Sequence, residues 1–374
     1  VFADAGDIES LDPAWAFDTS SRNIVDNVYE YLFALPGKGT GDADLVPVLA
    51  ARVPTRRDGL VSKDGLTYRI PVRKGVRFQD GGVMTPEDVR YSLLRFMLTD
   101  RAAGPSYKLL DPVLGLSSTR GKDGKLLPGV AAAAFKAVRV EGGAVVIRLK
   151  RPYAPFLEEL SGAGAVMSRA WCTAHGQWDG READAARYND PKAEDTLGTR
   201  LMDGTGPFRL ERYDPAQKRL VLSRFDGYWR RPARLKEVVV TTVREFSARK
   251  LMLEAGDADA IYVPVSYVSQ LQGLPGVRVT PGLHTPGFAL MLLFSKEVSP
   301  AGRAGIGSGR LDGNGVPPDF FSDPDARKAF ADSVDYAGFI RDAMGGEGRQ
   351  PAGFIPQGFS GYDRARKPRY RYAP

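Results

Sequence analysis

The stretch DGLTYRIPVRKGVRFQDGGVMTPEDVRYSLLRFM, from Asp64 to Met97, commits the chain to mixed α/β structure. Leu66, Tyr68, Ile70 and Val72 alternate with Thr67, Arg69, Pro71 and Arg73. A period of two sends one row of side chains to a buried face, which specifies a half-buried strand. Pro71 has no N–H to give to a ladder, so it belongs at an edge or a bulge. Lys74-Gly75 breaks the strand, Val76 and Phe78 resume the alternation, and Asp80-Gly81-Gly82 turns the chain. Thr85 then precedes Pro86, with Asp88 three residues on. This is close to a capping box, with proline at the first helical position. Val89, Leu93, Phe96 and Met97 recur at helical spacing and form one apolar face. The stretch holds no obvious nucleophile, no metal cluster and no phosphate loop, so it reads as scaffold.

The flanking segments continue the mixture. ESLDPAWAFDTSSRNIVDNVYEYLFAL, from Glu9, has a break at Asp12-Pro13 and then a helix from Ser21, with Ile24, Val28, Tyr31 and Leu32 on one face. Residues 98–130 read as loop-rich. A hairpin is expected around Gly142-Gly143 and a short helix after Pro155. A second hairpin lies in GTGPFRLERYDPAQKRLVLSRFDGYW (204–229), turning at Asp214-Pro215. LKEVVVTTV reads as a buried strand. Ser247 is positioned to cap a helix from Ala248 to Ala255 that Gly256 closes. DADAIYVPV and GFALMLLFS read as strands, 299–318 as a Gly/Pro-rich surface insertion, and Asp323-Pro324 as the start of a helix containing Phe330 and Val334. Strands and helices without strict βαβ regularity indicate a multi-domain α/β protein.

Composition excludes more than it assigns. The 374 residues, 43% hydrophobic, suffice for two or three domains with their own cores. No apolar run reaches ~18 residues, so no transmembrane helix is expected. The start at Val1 fits a processed or trimmed secreted protein. A single cysteine, Cys172, permits no internal disulfide. The net charge of +7 is dispersed along the chain and reads as a solvated basic surface, not a nucleic-acid or membrane footprint.

The chemical motifs resolve into plainer readings. Cys172 and His175 in WCTAH have half a zinc spacing with no second pair, and read as a structural Cys and a surface His. The sequence DGNG, from Asp312, lacks the further ligands of a calcium loop. Gly37, Gly39 and Gly41 lack the Lys-Ser/Thr of a phosphate loop, and no Gly-x-Ser-x-Gly elbow occurs. Glu158-Glu159 reads as solvated charge on a helix. The run RARKPRYRY, from Arg364, reads as a solvated basic tail. No metal, cofactor or catalytic residue is expected.

Taken in order, ESLDPAWAFDTSSRNIVDNVYEYL, the stretch from Asp64 to Met97, RPYAPFLEEL, GTGPFRLERYDPAQKRLVLSRFDGYW, SARKLMLEAGDADA, FSDPDARKAFADSVDYAGFI and IPQGFSGYD resemble the family 5 bacterial extracellular solute-binding proteins, the oligopeptide, dipeptide and nickel receptors of ABC importers. The resemblance implies a two-lobed, type II-like periplasmic-binding-protein clamshell with an extra α/β domain on lobe I. It assigns 1–44 and 168–247 to lobe I, 45–167 to the extra domain and 248–374 to the first part of lobe II. Gln79 stands where family members commonly have His. The family chain continues beyond the GYD loop, so lobe II is expected to be incomplete here, by truncation, by a split gene or by an incomplete record.

The implied function is capture of a peptide or similar amphipathic solute between two lobes, for delivery to the permease of an ABC importer. The implied setting is periplasmic or extracellular, with lipid anchoring through a removed N-terminal segment left open, and the full-length protein is expected to be a monomer. Oligopeptide, dipeptide, nickel complex and sugar all remain open as ligands. A secreted hydrolase, or the sensing domain of a regulator, is the alternative. By resemblance, Ala16, Phe17, Asp18 and Thr19 lie nearest the ligand, Tyr107 is a loop tyrosine that reaches it, and Thr205, Gly206, Pro207 and Phe208 form the floor of the groove. Glycines at 204 and 206 would permit close backbone approach there.

Overall fold

The computed structural model describes residues 1–35, 45–198, 201–280, 306–355 and 361–373. Two compact units meet in sequence at Tyr262 and Val263. The first unit runs β1 (Phe2–Asp4), α1 (Thr19–Val28), β2 (Phe33–Ala34), β3 (Val46–Pro47), β4 (Thr67–Pro71), α2 (Pro86–Thr99), α3 (Tyr107–Leu114), α4 (Val130–Ala137), β5 (Val138–Glu141) and β6 (Ala144–Arg148). It continues with α5 (Phe156–Glu159), α6 (Arg169–Ala174), β7 (Phe208–Asp214), β8 (Arg219–Arg224), β9 (Glu237–Thr242), α7 (Phe246–Ala255) and β10 (Ala260–Ile261). The second unit contains α8 (Pro324–Asp332) and α9 (Tyr336–Asp342).

Two sheets organise the first unit. One has the order β10-β1-β9-β8-β7, with β1 parallel to β9 and β10, and β7, β8 and β9 antiparallel in succession. The other is antiparallel, in the order β4-β6-β5, and α2 packs on β5 and β6. Pro71 pairs with Ala144 as the last residue of β4, at the edge of that sheet, where a missing N–H costs least.

The capping box before α2 forms in full. Thr85 N–H donates to Asp88 Oδ2 at 2.8 Å, and the Thr85 side chain accepts from Asp88 N–H. The other Asp88 oxygen accepts from Arg169 N–H at 3.0 Å, so the cap also pins the start of α6. The expected apolar face of Val89, Leu93, Phe96 and Met97 is buried, and so are Tyr91, Leu94, Leu98, Ser92 and Arg95 on the other faces. Ser92 settles its polarity by donating to Asp88 C=O at 2.7 Å and accepting from Met167 N–H at 2.8 Å. Tyr91 Oη donates to Trp178 C=O at 2.7 Å.

Three local expectations need correction. α1 begins at Thr19, not at Ser21, because Asp18 is its cap: Asp18 Oδ1 accepts from Ser21 N–H at 2.8 Å. Tyr107, expected in a loop, is the first residue of the helix α3. The apolar side chains Leu109, Leu110 and Val113 drive that helix inward, and Pro112 is tolerated within it. Ser247 lies inside α7, whose cap position is Glu245 with no side-chain bond, while Gly256 closes the helix in the left-handed conformation (φ 82°).

The other described elements form, some with different bounds, and the strand expected to be buried, β9, is only half-buried. Gly142 and Gly143, both at positive φ, turn β5 into β6. β7 and β8 pair across the Asp214 turn with a bulge between Leu210 and Arg212. The strand read in DADAIYVPV shortens to β10, and Val334 lies just past α8, which Asp323 caps by accepting from Asp325 N–H at 2.8 Å. Of 299–318, the described part holds a Gly307–Gly315 bridge, and Asp312 accepts from Ser308 Oγ and Asn314 N–H. GFALMLLFS and the whole of the Gly37–Gly41 loop lie outside the described residues.

Cys172 is buried and burial pushes its thiol up to about 12, an unreactive structural cysteine. His175 is exposed and stacks on Trp171 with centroids 4.2 Å apart. Among the described residues, no helix is long and apolar enough to cross a membrane.

Candidate functional site at the Phe17–Tyr107 cleft

The loop that leaves the carboxyl end of β1 is built to hold one residue out. Ser20 Oγ donates to Asp4 Oδ2 at 2.9 Å, and Ser21 Oγ accepts from the N–H groups of Glu9 and Ser10. The Asp12 carbonyl accepts from Trp15 and Ala16 N–H at 2.9 and 2.8 Å, which coils the chain tightly just before α1. Ala16 is buried by this arrangement, Thr19 is exposed, and Phe17 projects with 43% of its surface exposed. A large apolar side chain left in water on a pinned loop is a contact surface rather than core.

Tyr107 faces it. The two rings meet edge to face, centroids 6.4 Å apart at 86°, and Tyr107 is 44% exposed. Together with Arg101, Gly104, Ser117 and Arg120 they line a cleft of about 510 Å³ within the first unit. Its far wall is wired through Asp100, the C-cap of α2 at φ 35°. Asp100 is buried and saturated: it accepts from Ser106 Oγ, from Ser118 Oγ at 2.9 Å, and from both Thr119 N–H and Thr119 Oγ1 at 2.6 Å. Burial alone would raise its pKa, but these hydrogen bonds outweigh burial and hold it below the usual carboxylate value. Arg120 reaches the Asp100 carbonyl and lies 3.7 Å from its carboxylate.

The segment 205–208 is placed differently from Phe17 and Tyr107. Thr205, Gly206 and Phe208 are buried, Pro207 is partly so, and none of the four lines this cleft. Gly206 N–H donates to Val28 C=O at 2.9 Å, which ties the segment to the last turn of α1. Gln79 staples the same junction: its amide donates to Phe208 C=O at 2.6 Å and Val28 C=O at 3.2 Å. Thr205 Oγ1 donates to the buried Glu30 carboxylate, which also accepts from Tyr228 Oη and Trp229 Nε1 at 2.8 and 2.7 Å. Three neutral groups thus hold Glu30, just past the end of α1, the helix whose start presents Phe17. Sequence reasoning missed Arg101, Asp100 and Glu30, since nothing in their neighbours marks them.

A titration prediction arises beside this junction. Asp203 Oδ1 accepts from Asp80 N–H at 2.8 Å, while its buried Oδ2 has no partner among the described residues. Burial, and then the charge of Asp80, pushes its carboxyl up to about 7 from 3.8. A raised acid costs nothing while both folded and unfolded states are protonated. The cost enters as pH rises past the unfolded value and is complete above the folded one. Asp203→Asn should therefore stabilise the fold more at about pH 8 than at about pH 4, by roughly 2 to 4 kcal/mol. Urea midpoints of both proteins at both pH values test this, and an equal shift at the two would contradict it.

Comparison with known proteins follows the same lines. The model of the family described as "Bacterial extracellular solute-binding proteins, family 5 Middle" matches residues 44–374. The "Probable D,D-dipeptide-binding periplasmic protein DdpA" of Escherichia coli is 25% identical over 97% of this chain and 58% of its own length. The glutathione-binding protein GsiB of Salmonella choleraesuis is 27% identical over 71% of this chain and 42% of its own. The chain thus spans between two fifths and three fifths of these relatives. Among solved structures, the ABC transporter-associated periplasmic binding protein DppA from Helicobacter pylori, in complex with the peptide STSA, covers the whole chain and 63% of its own at TM-score 0.64 and 21% identity. NikZ from Campylobacter jejuni, in complex with Ni(L-His), covers 92% of this chain and 55% of its own at TM-score 0.58 and 16% identity. These likenesses identify the fold as the two-lobed periplasmic-binding-protein class expected from the sequence.

Proposed function

We propose a receptor's role for this chain, which belongs to the bacterial extracellular solute-binding proteins, family 5: it captures a peptide or similar amphipathic solute outside the cytoplasm and hands it to an ABC importer. Members of that family are solute-binding receptors rather than enzymes, so neither the hydrolase nor the sensor reading is favoured. The chain acts as a binding protein with no covalent step, and as a monomer.

The observation that carries this reading is the cleft itself. Its volume of about 510 Å³ suits a small solute, within the ~300–1,000 Å³ usual for such sites. It pairs an apolar edge, Phe17 against Tyr107, with polar side chains behind. An aromatic pair with one hydroxyl grips an amphipathic body and orients it. On this reading Phe17 and Tyr107 touch the solute, and Ala16, Asp18 and Thr19 shape the loop that presents Phe17. Thr205, Gly206, Pro207 and Phe208 work from beneath, by fixing α1. The division into a first lobe (1–44 and 168–247), an extra domain (45–167) and the start of a second lobe (248–374) belongs to the same proposal. The names of the curated relatives, which bind D,D-dipeptide and glutathione, support peptides as the solute class.

Phe17→Ala and Tyr107→Ala test it. Both side chains are exposed, so stability should move by less than about 0.5 kcal/mol, while calorimetric affinity for a peptide ligand of the full chain should fall roughly tenfold for each. Undiminished affinity in both variants would remove the cleft from the function.

A further inference from the structure

Arg101 stands apart from the other charges of the cleft. Asp111 pairs with Arg151 at 2.6 Å, Asp100 is saturated, and Arg120 is shared between Asp100 and Asp190. Arg101 has no ion pair among the described residues, and its Nε is shielded from solvent with no hydrogen-bond partner. It is nevertheless held in place. Its guanidinium lies over the Trp15 ring, 5.2 Å from the centroid. Its stem runs against Gly104, where an added Cβ would come within 2.5 Å of Cγ. A guanidinium held in this orientation with its Nε shielded from water and unpaired is costly to keep, because a buried donor without an acceptor forfeits its hydration. A planar fork of donors is matched by a carboxylate, which takes two parallel hydrogen bonds.

We propose that Arg101 is the anion receptor of this cleft: it takes the carboxylate of a small acidic solute while Phe17 and Tyr107 hold the apolar part of the same molecule. This rests on the solute-receptor reading above and narrows it to carboxylate-bearing solutes. Trp15 and Gly104 serve as positioning residues that aim the fork. The energetic logic is substitution: the ligand supplies the acceptor that Arg101 lacks, so the carboxylate gains a charge-assisted bond whose geometry is already set.

The test compares two probes on the full chain: a pool of di- and tripeptides with apolar side chains, and the same pool as C-terminal amides. Native mass spectrometry reads which species are retained, and calorimetry gives affinities for those that are. The wild type should retain the acids over the amides. Arg101→Gln should lower affinity for a retained acid roughly ten- to a hundredfold and leave the amides unchanged. Arg101→Lys, which keeps the charge and loses the fork, should fall between. Adding a third pool, amides carrying one glutamate side chain, distinguishes a side-chain from a main-chain carboxylate. Its retention through Arg101 would support the first source, and its rejection the second. Equal retention of acids and amides by the wild type would overturn the role of Arg101 and leave the receptor reading standing. Retention of none of the pools would overturn both. Should Arg101→Gln fail to fold, the acid-to-amide preference of the wild type and the Arg101→Lys affinity still decide the matter.

Discussion

Arg95→Met should destabilise the fold by about 3 to 5 kcal/mol, among the largest effects available from a single side chain here. Arg95 and Asp12 are 3% and 0% exposed, and the guanidinium grips both carboxylate oxygens at 2.6 Å while donating to Gln177 Oε1 at 2.9 Å. Burial alone would raise the Asp12 pKa, but the charge and hydrogen bonds of Arg95 outweigh it and hold the carboxyl below its ordinary value. Without the guanidinium, Asp12 would keep only the backbone N–H groups of Ala14, at 3.0 Å, and Leu197, and its charge would be left buried. The linkage has a definite sign. A lowered carboxyl stabilises the fold above its unfolded pKa, and that contribution disappears only as pH falls through the folded value, below about pH 4.

The double variant Arg95→Met with Asp12→Asn separates charge from packing. Removing both charges should recover a large part of the loss, because a matched apolar replacement escapes the desolvation cost. Additive losses in denaturant midpoints would instead place the cost in packing. The pair also bears on the site. Asp12 coils the loop that ends at Phe17, and α2, which carries Arg95, ends at Asp100 in the opposite wall of the cleft. Weakening it should loosen both walls at once, so solute affinity should fall alongside stability.

Gly204→Ala is the second large effect, about 3 kcal/mol or more. A Cβ on Gly204 would sit 2.1 Å from the Val28 carbonyl oxygen and 2.9 Å from the Tyr29 ring. The obstacle is backbone, and the same carbonyl already accepts from Gly206 N–H, so it has no free direction in which to yield. Gly162→Ala is the control. Its Cβ would have only the Arg22 guanidinium nearby, at 3.7 Å, and the change should stay within about 0.5 kcal/mol. Equal midpoints for the two variants would show that the junction of α1 and the 204–208 segment is slack.

What the sequence disclosed follows from how far each cause reaches. The cap of α2, the turn at Gly142-Gly143 and the edge position of Pro71 depend on neighbours a few residues away, and the structure has all three. Asp18 is a local cap too, while Ser20 and Ser21 spend their hydroxyls on Asp4 and on the Glu9 and Ser10 N–H groups, partners more than ten residues away. α3 is maintained by the burial of Leu109, Leu110 and Val113 against partners distant in sequence, with Pro112 inside it. The Asp12–Arg95 pair joins residues 83 apart, and Glu30 collects donors 175 to 199 residues away. No periodicity encodes such partners. Phe17 and Tyr107 were candidates by resemblance alone, and only the folded chain brings their rings together. Arg101 had no signal of any kind, since an unpaired arginine looks like every other arginine until its surroundings are known.

The measurement closest to the central claim is native mass spectrometry of the full chain, purified without denaturation and then offered a peptide pool. The account predicts a noncovalent adduct of small mass, released intact on denaturation and chemically identical to what was supplied. It also predicts that Phe17→Ala and Tyr107→Ala retain less of it. A protein that binds nothing from the pool, or that returns cleaved or altered solute, would contradict the claim that this chain is a receptor.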